Sequence, residues 1–180
     1  LDMDGTLLKS DKTISKNTAS SLYEASNRGQ SICLCTGRGL AELKDYEGEL
    51  DFCDYGILLS GCLNYDFKNN KPLEIHSFDT DVFTQMMDIV KKEDVMLYLL
   101  DSSHSIASQK DVENMPYYNM AIYQSMFESR AEAVEDIYEY ANKHKNEILK
   151  FCLYNPSVDA MNQLLKKLEV FPVSCAVVEE

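Results

Sequence analysis

Two aspartates one residue apart, Asp2 and Asp4, stand directly ahead of Gly5 and Thr6 in the opening segment LDMDGTLL. Side chains at positions i and i+2 of a strand point to the same side, so a strand ending near Met3 would direct both carboxylates toward one small volume. Two carboxylates that close repel each other unless they ionise unequally or a cation lies between them. The segment therefore indicates a bound metal or a shared proton.

A second polar motif, CTGR at Cys35–Arg38, follows the apolar segment SICLC. A hydroxyl followed by glycine at a strand-to-helix turn offers an O–H donor and an approachable backbone N–H, and both suit a phosphate oxygen. We therefore expect Thr36 and the Gly37 amide to hold phosphate oxygens. Carboxylates of the first motif would recruit Mg²⁺, which offsets their charge against the phosphate. Arg38 either binds substrate or pairs with an acid on the surface.

The segments between these motifs predict alternating helices and strands. Ile14 and Ser15 have the pattern of a hydrophobic staple and an N-cap, and Gly29 is placed to end the helix that follows. The strand SICLC, a helix in LAELKDYEGEL and the strand GILLSG come next. This order is typical of a parallel sheet covered by helices, whose ligands bind at the carboxyl ends of the strands. Both motifs would then lie at one edge of the sheet.

A second module is predicted from the change of pattern after residue 62. The segments CLNYDF and KPLEIHSF flank the polar turn KNNK and predict a hairpin rather than a crossover. We therefore divide the chain into a first module, 1–62, and an α+β module with an antiparallel sheet, 63–180.

Within this second module, local signals predict particular elements. Ser129 and Glu132 have the spacing of a capping box ahead of a helical apolar stripe. Ser157 would cap a later helix, and PVSCAVVEE, residues 172–180, would form a final strand.

Composition excludes several classes of partner. The formal net charge is −13, with 30 acidic residues against 17 basic ones, which repels nucleic acid. No apolar run approaches the ~18 residues that a membrane-spanning helix needs. The six cysteines lack zinc-site spacing, so we expect reduced thiols in a cytoplasmic protein. Cys33 and Cys35 would be small buried apolar residues. Nothing in the sequence predicts an oligomeric state.

The two motifs resemble those of a known family. DMDGTLL resembles the DxDGT motif of the haloacid dehalogenase (HAD) superfamily phosphatases, and CTGR resembles their second motif. The α+β insertion resembles the C2-type cap of the Cof-type sugar-phosphate phosphatases. The resemblance implies an α/β fold, in which a Rossmann-like core with a parallel sheet carries an inserted α+β cap domain. Residues 1–62 would be the amino-terminal part of that core, and 63–180 the cap that selects the substrate.

The resemblance also implies roles for the paired aspartates. Asp2 corresponds to the nucleophile that forms an aspartyl-phosphate, and Asp4 to the general acid/base that protonates the leaving alcohol and then activates water. Mg²⁺ would be bound by the Asp2 carboxylate and the Asp4 backbone carbonyl. The implied activity is Mg²⁺-dependent hydrolysis of small phosphorylated metabolites, such as sugar phosphates.

Further site residues follow from the same resemblance. Thr36 would be a phosphate ligand, with Gly37 and Arg38 beside it. SGC at residues 60–62 stands where Cof-type relatives have Asn-Gly-small, which would place Ser60 and Gly61 on the substrate side.

Two parts of the family pattern do not occur in the 180 residues: the lysine that neutralises the aspartyl-phosphate, and the late acidic motif GDxxND that completes the metal site. The first strand has only Leu1 ahead of Asp2. We therefore expect the sequence to be the front part of a longer enzyme, without the carboxyl-terminal part of the core.

Other classes of protein carry similar acidic motifs. A calcium loop is disfavoured, because no further acid follows at calcium-loop spacing and no Glu ends such a loop; the next polar residues are Lys9, Ser10 and Asp11. A two-component receiver domain carries its phosphorylated aspartate on a later strand and has no cap. A phosphomutase of the same superfamily and a noncatalytic relative that binds phosphate esters both remain open.

Overall fold

A computed structural model describes residues 1–175, and its strands and helices divide between two units with separate sheets. The first unit comprises Leu1–Ser77 and Leu100–Ser105. The second comprises Phe78–Leu99 and the residues from Ile106 onward.

The first unit begins with the predicted helix and strands. Helix α1, Lys16–Asn27, starts at Ser15, whose hydroxyl accepts the N–H of Thr18 at 3.1 Å. Gly29, at φ +83°, ends the helix in the left-handed conformation that glycine adopts without strain. The next elements are strand β1 (Cys33–Cys35), helix α2 (Leu40–Leu43) and strand β2 (Tyr55–Leu58).

Leu1 already belongs to the sheet of the first unit. Its N–H group donates to the carbonyl of Cys33 at 2.7 Å, and its own carbonyl accepts the N–H of Cys35 at 2.6 Å. Bonds to residues two apart on the neighbouring chain are the pattern of a parallel pair. Since β1 also pairs in parallel with β2, the first motif begins beside the strand that leads into the second motif.

The predicted hairpin forms, but it belongs to the first unit. Strands β3 (Leu63–Asp66) and β4 (Lys71–Ile75) are antiparallel, and β3 pairs with β2 from Leu58 opposite Leu63 onward. The sheet order is therefore β1-β2-β3-β4. This pairing moves the boundary of the first unit from residue 62 to Ser77, because a hairpin bonded along β2 cannot be separated from the sheet.

The second unit is α+β, as predicted. Its elements are α3 (Thr80–Val90), β5 (Met96–Leu100), β6 (Ser105–Ser108), α4 (Gln109–Glu113), α5 (Gln124–Arg130), β7 (Glu132–Val134), α6 (Ile137–Lys143), β8 (Lys150–Tyr154) and α7 (Val158–Leu168). The strand order is β7-β6-β5-β8. Because β6 and β7 run parallel, the expectation of a fully antiparallel sheet is wrong.

The predicted capping box is also wrong. Ser129 lies inside α5, where its hydroxyl donates to the Met126 carbonyl at 3.0 Å, and Glu132 begins β7. Asp136 caps α6 instead, and its carboxylate accepts the N–H of Tyr138 at 2.9 Å. The apolar pattern that predicted one helix runs from strand β7 into helix α6, so it does not belong to a single helix.

The two remaining predictions for the second unit are the Ser157 cap and the final strand at 172–180. Ser157 caps α7 as predicted, and its hydroxyl accepts the N–H of Ala160 at 3.3 Å. Of the predicted final strand, residues 172–175 are irregular and 176–180 lie outside the described residues.

Strand β5 is buried at all five positions because both of its faces are covered. Leu97 and Leu99 pack among the apolar side chains of α3, α6 and α7. Tyr98 points the opposite way, and its ring lies 4.5 Å from that of Phe127 in α5. The second unit thus has its own core.

Two predictions from composition, on the cysteines and on membrane-spanning helices, can be compared with the structure. All six cysteines lie within the described residues, and none of them forms a disulfide. The expectation that Cys33 and Cys35 are buried is wrong, because that face of β1 is open: Cys35 is exposed and Cys33 is partly covered, whereas Leu34 between them is buried. Within residues 1–175 no helix is both long and apolar enough to cross a membrane.

One buried carboxylate joins three segments of the first sheet. Asp54 is only 2% exposed, and it accepts the backbone N–H of Ile32 at 2.8 Å and an ion pair from Lys68. These two bonds, the lysine first, hold the pKa of Asp54 below its ordinary value. The carboxylate therefore ties the entry of β1 to the turn between β3 and β4.

We expect Asp54→Ala to lower the free energy of unfolding by about 1–3 kcal/mol, because it leaves the Ile32 amide and the Lys68 ammonium without their acceptor. Urea unfolding measures the change, and the exposed Asp51→Ala is the matched control. Since the folded-state pKa is lowered, the charge-dependent part of this stability is complete above the unfolded pKa of ~3.9 and is lost as the pH falls through the folded value. A difference between wild type and Asp54→Asn that does not shrink in acid would contradict this account.

Candidate active site

The first motif leaves the sheet with its two carboxylates outward. Met3 is fully buried, whereas Asp2 and Asp4 on either side of it are exposed. This is the alternation expected of extended chain. Gly5, at φ +75°, then turns the backbone, a conformation that costs glycine little.

Asp2 is oriented from within its own turn. The hydroxyl of Thr6 donates to Oδ2 of Asp2 at 2.9 Å. Thr6 is thus a positioning group for the carboxylate, which the DxDGT spacing places four residues ahead of it. The Oδ1 atom accepts no hydrogen bond among residues 1–175, so its lone pairs are available to attack an electrophile.

Asp4 is clamped by two cations. Arg38 donates to it twice, from Nε to Oδ2 at 2.8 Å and from Nη2 to Oδ1 at 2.9 Å, and Lys12 donates to Oδ1 at 3.0 Å. These partners, the Arg38 hydrogen bonds above all, lower the pKa of Asp4 to about 2 despite partial burial. The carboxylate is ionised at neutral pH, and in this state it can accept a proton but not donate one.

The second motif continues from β1 as predicted. The N–H of Thr36 donates to the Ile57 carbonyl at 3.0 Å, which extends the parallel ladder by one residue. Its hydroxyl oxygen accepts the N–H of Arg38 at 3.2 Å. A hydroxyl that accepts through its oxygen keeps its hydrogen for another acceptor, such as a phosphate oxygen. Gly37 lies exposed between these two residues.

The segment Leu59–Gly61 lies against the second motif. Ser60 donates its N–H to the Thr36 carbonyl at 3.2 Å, and Leu59 donates to the Arg38 carbonyl at 3.1 Å. Three successive residues have positive φ: 52° at Leu59, 59° at Ser60 and 102° at Gly61. For a buried leucine this conformation is strained, and such strain is typical of functional loops.

Three residues of this site were not predicted from the sequence. Lys12 contacts Asp4, and Tyr46 contacts both Lys12 and Arg38. Gly39 lets the segment Leu59–Gly61 lie close to the second motif, because a Cβ atom at residue 39 would lie 2.8 Å from the Leu59 side chain. The available signals were slight: a lysine in the polar turn after the first motif, and a second glycine after TGR.

The oxygen donors at the first motif are of the type that divalent metal ions bind. The Asp2 carboxylate and the Asp4 backbone carbonyl are hard ligands, and Mg²⁺ is commonly held by one or two carboxylates with water and substrate phosphate. No group of three or more His, Cys, Asp or Glu side chains within residues 1–175 could hold a metal ion. The described residues therefore do not bring three or more carboxylates together around one metal ion.

A shallow concavity elsewhere in the first unit is separate from the motifs. It measures about 490 Å³ and is lined by Tyr55, Gly56, Ile57, Asn64, Tyr65, Leu73 and Glu74. None of the motif residues lines it, so proximity to the concavity gives no argument about their chemistry.

Comparisons with known proteins agree with the motifs. A model of the haloacid dehalogenase-like hydrolase family matches residues 1–178. The protein YxeH of Bacillus subtilis (strain 168) is 28% identical over 127 residues, which cover 69% of this chain and 47% of YxeH. From the same organism, 5-amino-6-(5-phospho-D-ribitylamino)uracil phosphatase YitU is 31% identical over 96 residues, which cover 53% of this chain and 36% of YitU. The chain thus spans about half or less of the length of these relatives.

A solved structure shows the same fold. The haloacid dehalogenase-like hydrolase from B. subtilis superposes with a TM-score of 0.74 at 15% identity, covering 94% of this chain and 65% of that chain. The family match over nearly the whole sequence, joined to this shared fold and to the two motifs, shows that the chain belongs to the haloacid dehalogenase-like hydrolase family, with Cof-type proteins as its relatives.

Proposed function

We propose that this protein is a Mg²⁺-dependent phosphatase that hydrolyses small phosphorylated metabolites, such as sugar phosphates, in the cytoplasm. The observation that carries the proposal is the two-point bond between Arg38 and Asp4. It joins Asp4, which we assign as the acid/base, to the CTGR turn, which we assign to phosphate binding. Such a juxtaposition suits phosphoryl transfer, in which a nucleophile, an acid/base and phosphate ligands act on one group.

Asp2 and Asp4 divide the chemistry. The free carboxylate oxygen of Asp2 attacks phosphorus, the bond to the leaving oxygen breaks, and that oxygen takes a proton from Asp4. Water then attacks the aspartyl-phosphate and gives its proton to Asp4, which releases inorganic phosphate and restores both carboxyl groups.

The clamped state of Asp4 fits the second half of this cycle. Because Lys12 and Arg38 favour the ionised carboxylate, the arrangement is that of the base. A bound phosphate dianion would share these cations, which would weaken their preference for the ionised carboxylate and let Asp4 carry a proton for the first half while Arg38 stays in contact with it. Arg38 would then serve both as the partner of an acid and as a phosphate ligand, with Thr36 and the Gly37 amide. Ser60 and Gly61, beside Thr36, would line the substrate side.

The use of a divalent metal is general among phosphatases of this family, and Mg²⁺ fits the donors of the first motif. The Asp2 carboxylate and the Asp4 backbone carbonyl would hold it. When bound, it supplies positive charge that offsets the repulsion between the Asp2 carboxylate and the phosphate.

The substrate class follows from relatives and from the second unit. YitU is named as a phosphatase of a phosphorylated ribityl compound, which is a sugar-alcohol phosphate ester. The unit from Phe78 onward has a sheet and a core of its own, as an inserted cap would. We assign it the choice of substrate, and the first unit the chemistry.

The proposal is tested on the complete gene product with a panel of sugar phosphates. We expect phosphate release that requires Mg²⁺, falls to background when the metal is removed with EDTA, and returns when Mg²⁺ is restored. Inorganic phosphate is quantified colorimetrically, and the same panel with Ca²⁺ in place of Mg²⁺ is the matched control, since Ca²⁺ prefers a larger, looser coordination shell.

Two outcomes would contradict the proposal. Movement of the phosphoryl group within a sugar without release of phosphate would indicate a mutase. Saturable binding of phosphate esters by calorimetry, with no turnover of any panel member, would indicate a noncatalytic binding protein.

A further inference from the structure

Lys12 reaches Asp4 from a strained backbone. Its φ is +61°, in the left-handed region that residues with a Cβ atom rarely occupy. A backbone of this kind persists only where its surroundings hold it in place. The hydroxyl of Tyr46 provides such a hold, because it donates to the Lys12 carbonyl at 3.2 Å.

The same tyrosine also contacts the second cation on Asp4. The guanidinium carbon of Arg38 lies 5.4 Å from the centroid of the Tyr46 ring, within the range of a cation–π interaction. Tyr46 is only 6% exposed, so its ring is held by its neighbours. One buried side chain therefore touches Lys12 through its hydroxyl and Arg38 through its ring face.

The two cations leave Asp4 with one open acceptor position. An ionised carboxylate has about four lone-pair positions, two on each oxygen. Oδ1 accepts from Lys12 and from Arg38, and Oδ2 accepts once, from Arg38. Among the described residues no other group bonds this carboxylate, so one position on Oδ2 remains.

We propose that Tyr46 is a positioning residue that holds Lys12 and Arg38 on Asp4, so that proton exchange takes place at the open position of Oδ2. The inference rests on the proposed function, and it adds Tyr46 and Lys12 to the residues that support Asp4. If Lys12 or Arg38 moved away, the Asp4 carboxylate could rotate. The open lone-pair position on Oδ2 would then no longer point in one fixed direction. Proton transfer depends on that direction more steeply than substrate binding does.

The test is Tyr46→Phe in the complete protein. It keeps the ring over Arg38 and removes only the hydroxyl bond to Lys12. We expect kcat on an alkyl phosphate to fall about tenfold, KM to change little, and the rate of the first p-nitrophenol release from p-nitrophenyl phosphate to fall much less. The contrast arises because p-nitrophenolate leaves without a proton.

Tyr23→Phe is the matched control. The Tyr23 hydroxyl also donates to a backbone carbonyl of the first unit, that of Gly48 at 3.3 Å, and it contacts neither Lys12 nor Asp4. A general loss of packing or stability would affect both variants, whereas the selective loss on alkyl phosphates should occur in Tyr46→Phe alone. Equal kinetics in the two variants would overturn the proposal.

A double-mutant cycle tests whether Tyr46 acts through Lys12. Lys12→Asn removes the ammonium but tolerates the left-handed backbone, since asparagine adopts it readily. In this background Tyr46→Phe should cost less than about twofold, because the group it positions is gone. Fully additive losses would overturn the proposal. If Tyr46→Phe does not fold, Lys12→Asn alone must show the selective loss on alkyl phosphates, and wild-type rates in it would equally refute the idea.

The wild-type protein separates this inference from the proposed function. An inactive wild-type protein with a full panel of phosphate esters means that the phosphatase assignment fails, and Tyr46 then has no proton transfer to position. An active wild-type protein whose Tyr46→Phe variant matches Tyr23→Phe means that only the positioning role fails.

Discussion

Asp2→Asn is expected to reduce phosphate release from every substrate by at least about 10⁴-fold, because a carboxamide oxygen cannot displace an alcohol from phosphorus. The substitution preserves the size of the side chain and an acceptor for the Thr6 hydroxyl, so the local turn should persist. The measurement is Mg²⁺-dependent phosphate release from p-nitrophenyl phosphate and from a sugar phosphate, with the complete protein.

Asp51→Asn is the control for this experiment. Asp51 is an exposed aspartate of the same unit and is remote from the first motif in sequence, so its loss of charge should leave the rate unchanged. Asp2→Asn that retains more than a trace of activity would exclude Asp2 as the nucleophile, whatever the effect of the control.

Asp4→Asn is expected to act differently on the two halves of the reaction. Loss of general acid/base catalysis typically costs ~10²–10⁴-fold, so turnover of an alkyl phosphate should fall by that amount. With p-nitrophenyl phosphate the first half needs no proton, whereas water still requires a base in the second half. Rapid mixing should therefore show a burst of p-nitrophenol of about one equivalent, followed by slow turnover.

The burst is the decisive measurement for Asp4. A burst shows that Asp2 is phosphorylated normally while its hydrolysis is impaired, which a general loss of folding could not produce. Equal losses with both substrates and no burst would mean that Asp4 does not act as the proton carrier. Because Asp4→Asn also removes the partner of Lys12 and Arg38, thermal unfolding should be measured alongside.

The position of Asp4 bears on how the family motif works in this chain. An aspartate bonded to arginine and lysine stays ionised at neutral pH, and its lowered pKa makes it a weak base. The same contacts that leave it able to accept a proton from water therefore oppose the donation of a proton to the leaving oxygen. A substrate that brings its own negative charge removes this conflict, because it offers the cations an alternative partner. The charge of the substrate would then be part of what prepares the acid form.

Much of the first unit was determined by sequence over short distances. Ser15 and Gly29 bound α1 as predicted, because a cap bonds within three or four residues of itself and depends little on the rest of the chain. The DxDGT and TGR spacings likewise predicted two polar turns beside neighbouring strands. Alternation about Met3 placed Asp2 and Asp4 on the exposed side for the same local reason.

Tertiary structure alone decided which groups meet. Asp4 and Arg38 are 34 residues apart, as are Lys12 and Tyr46, and no periodicity connects residues at such a separation. The hairpin was recognisable, but its partner strand was not, because hydrogen bonding along β2 depends on which edge is open once the sheet has formed. The sequence alone therefore identified Asp2 and Asp4 as candidate site residues. Tertiary structure decided that Lys12 and Arg38 contact Asp4, since only folding brings distant turns to the same edge of a sheet.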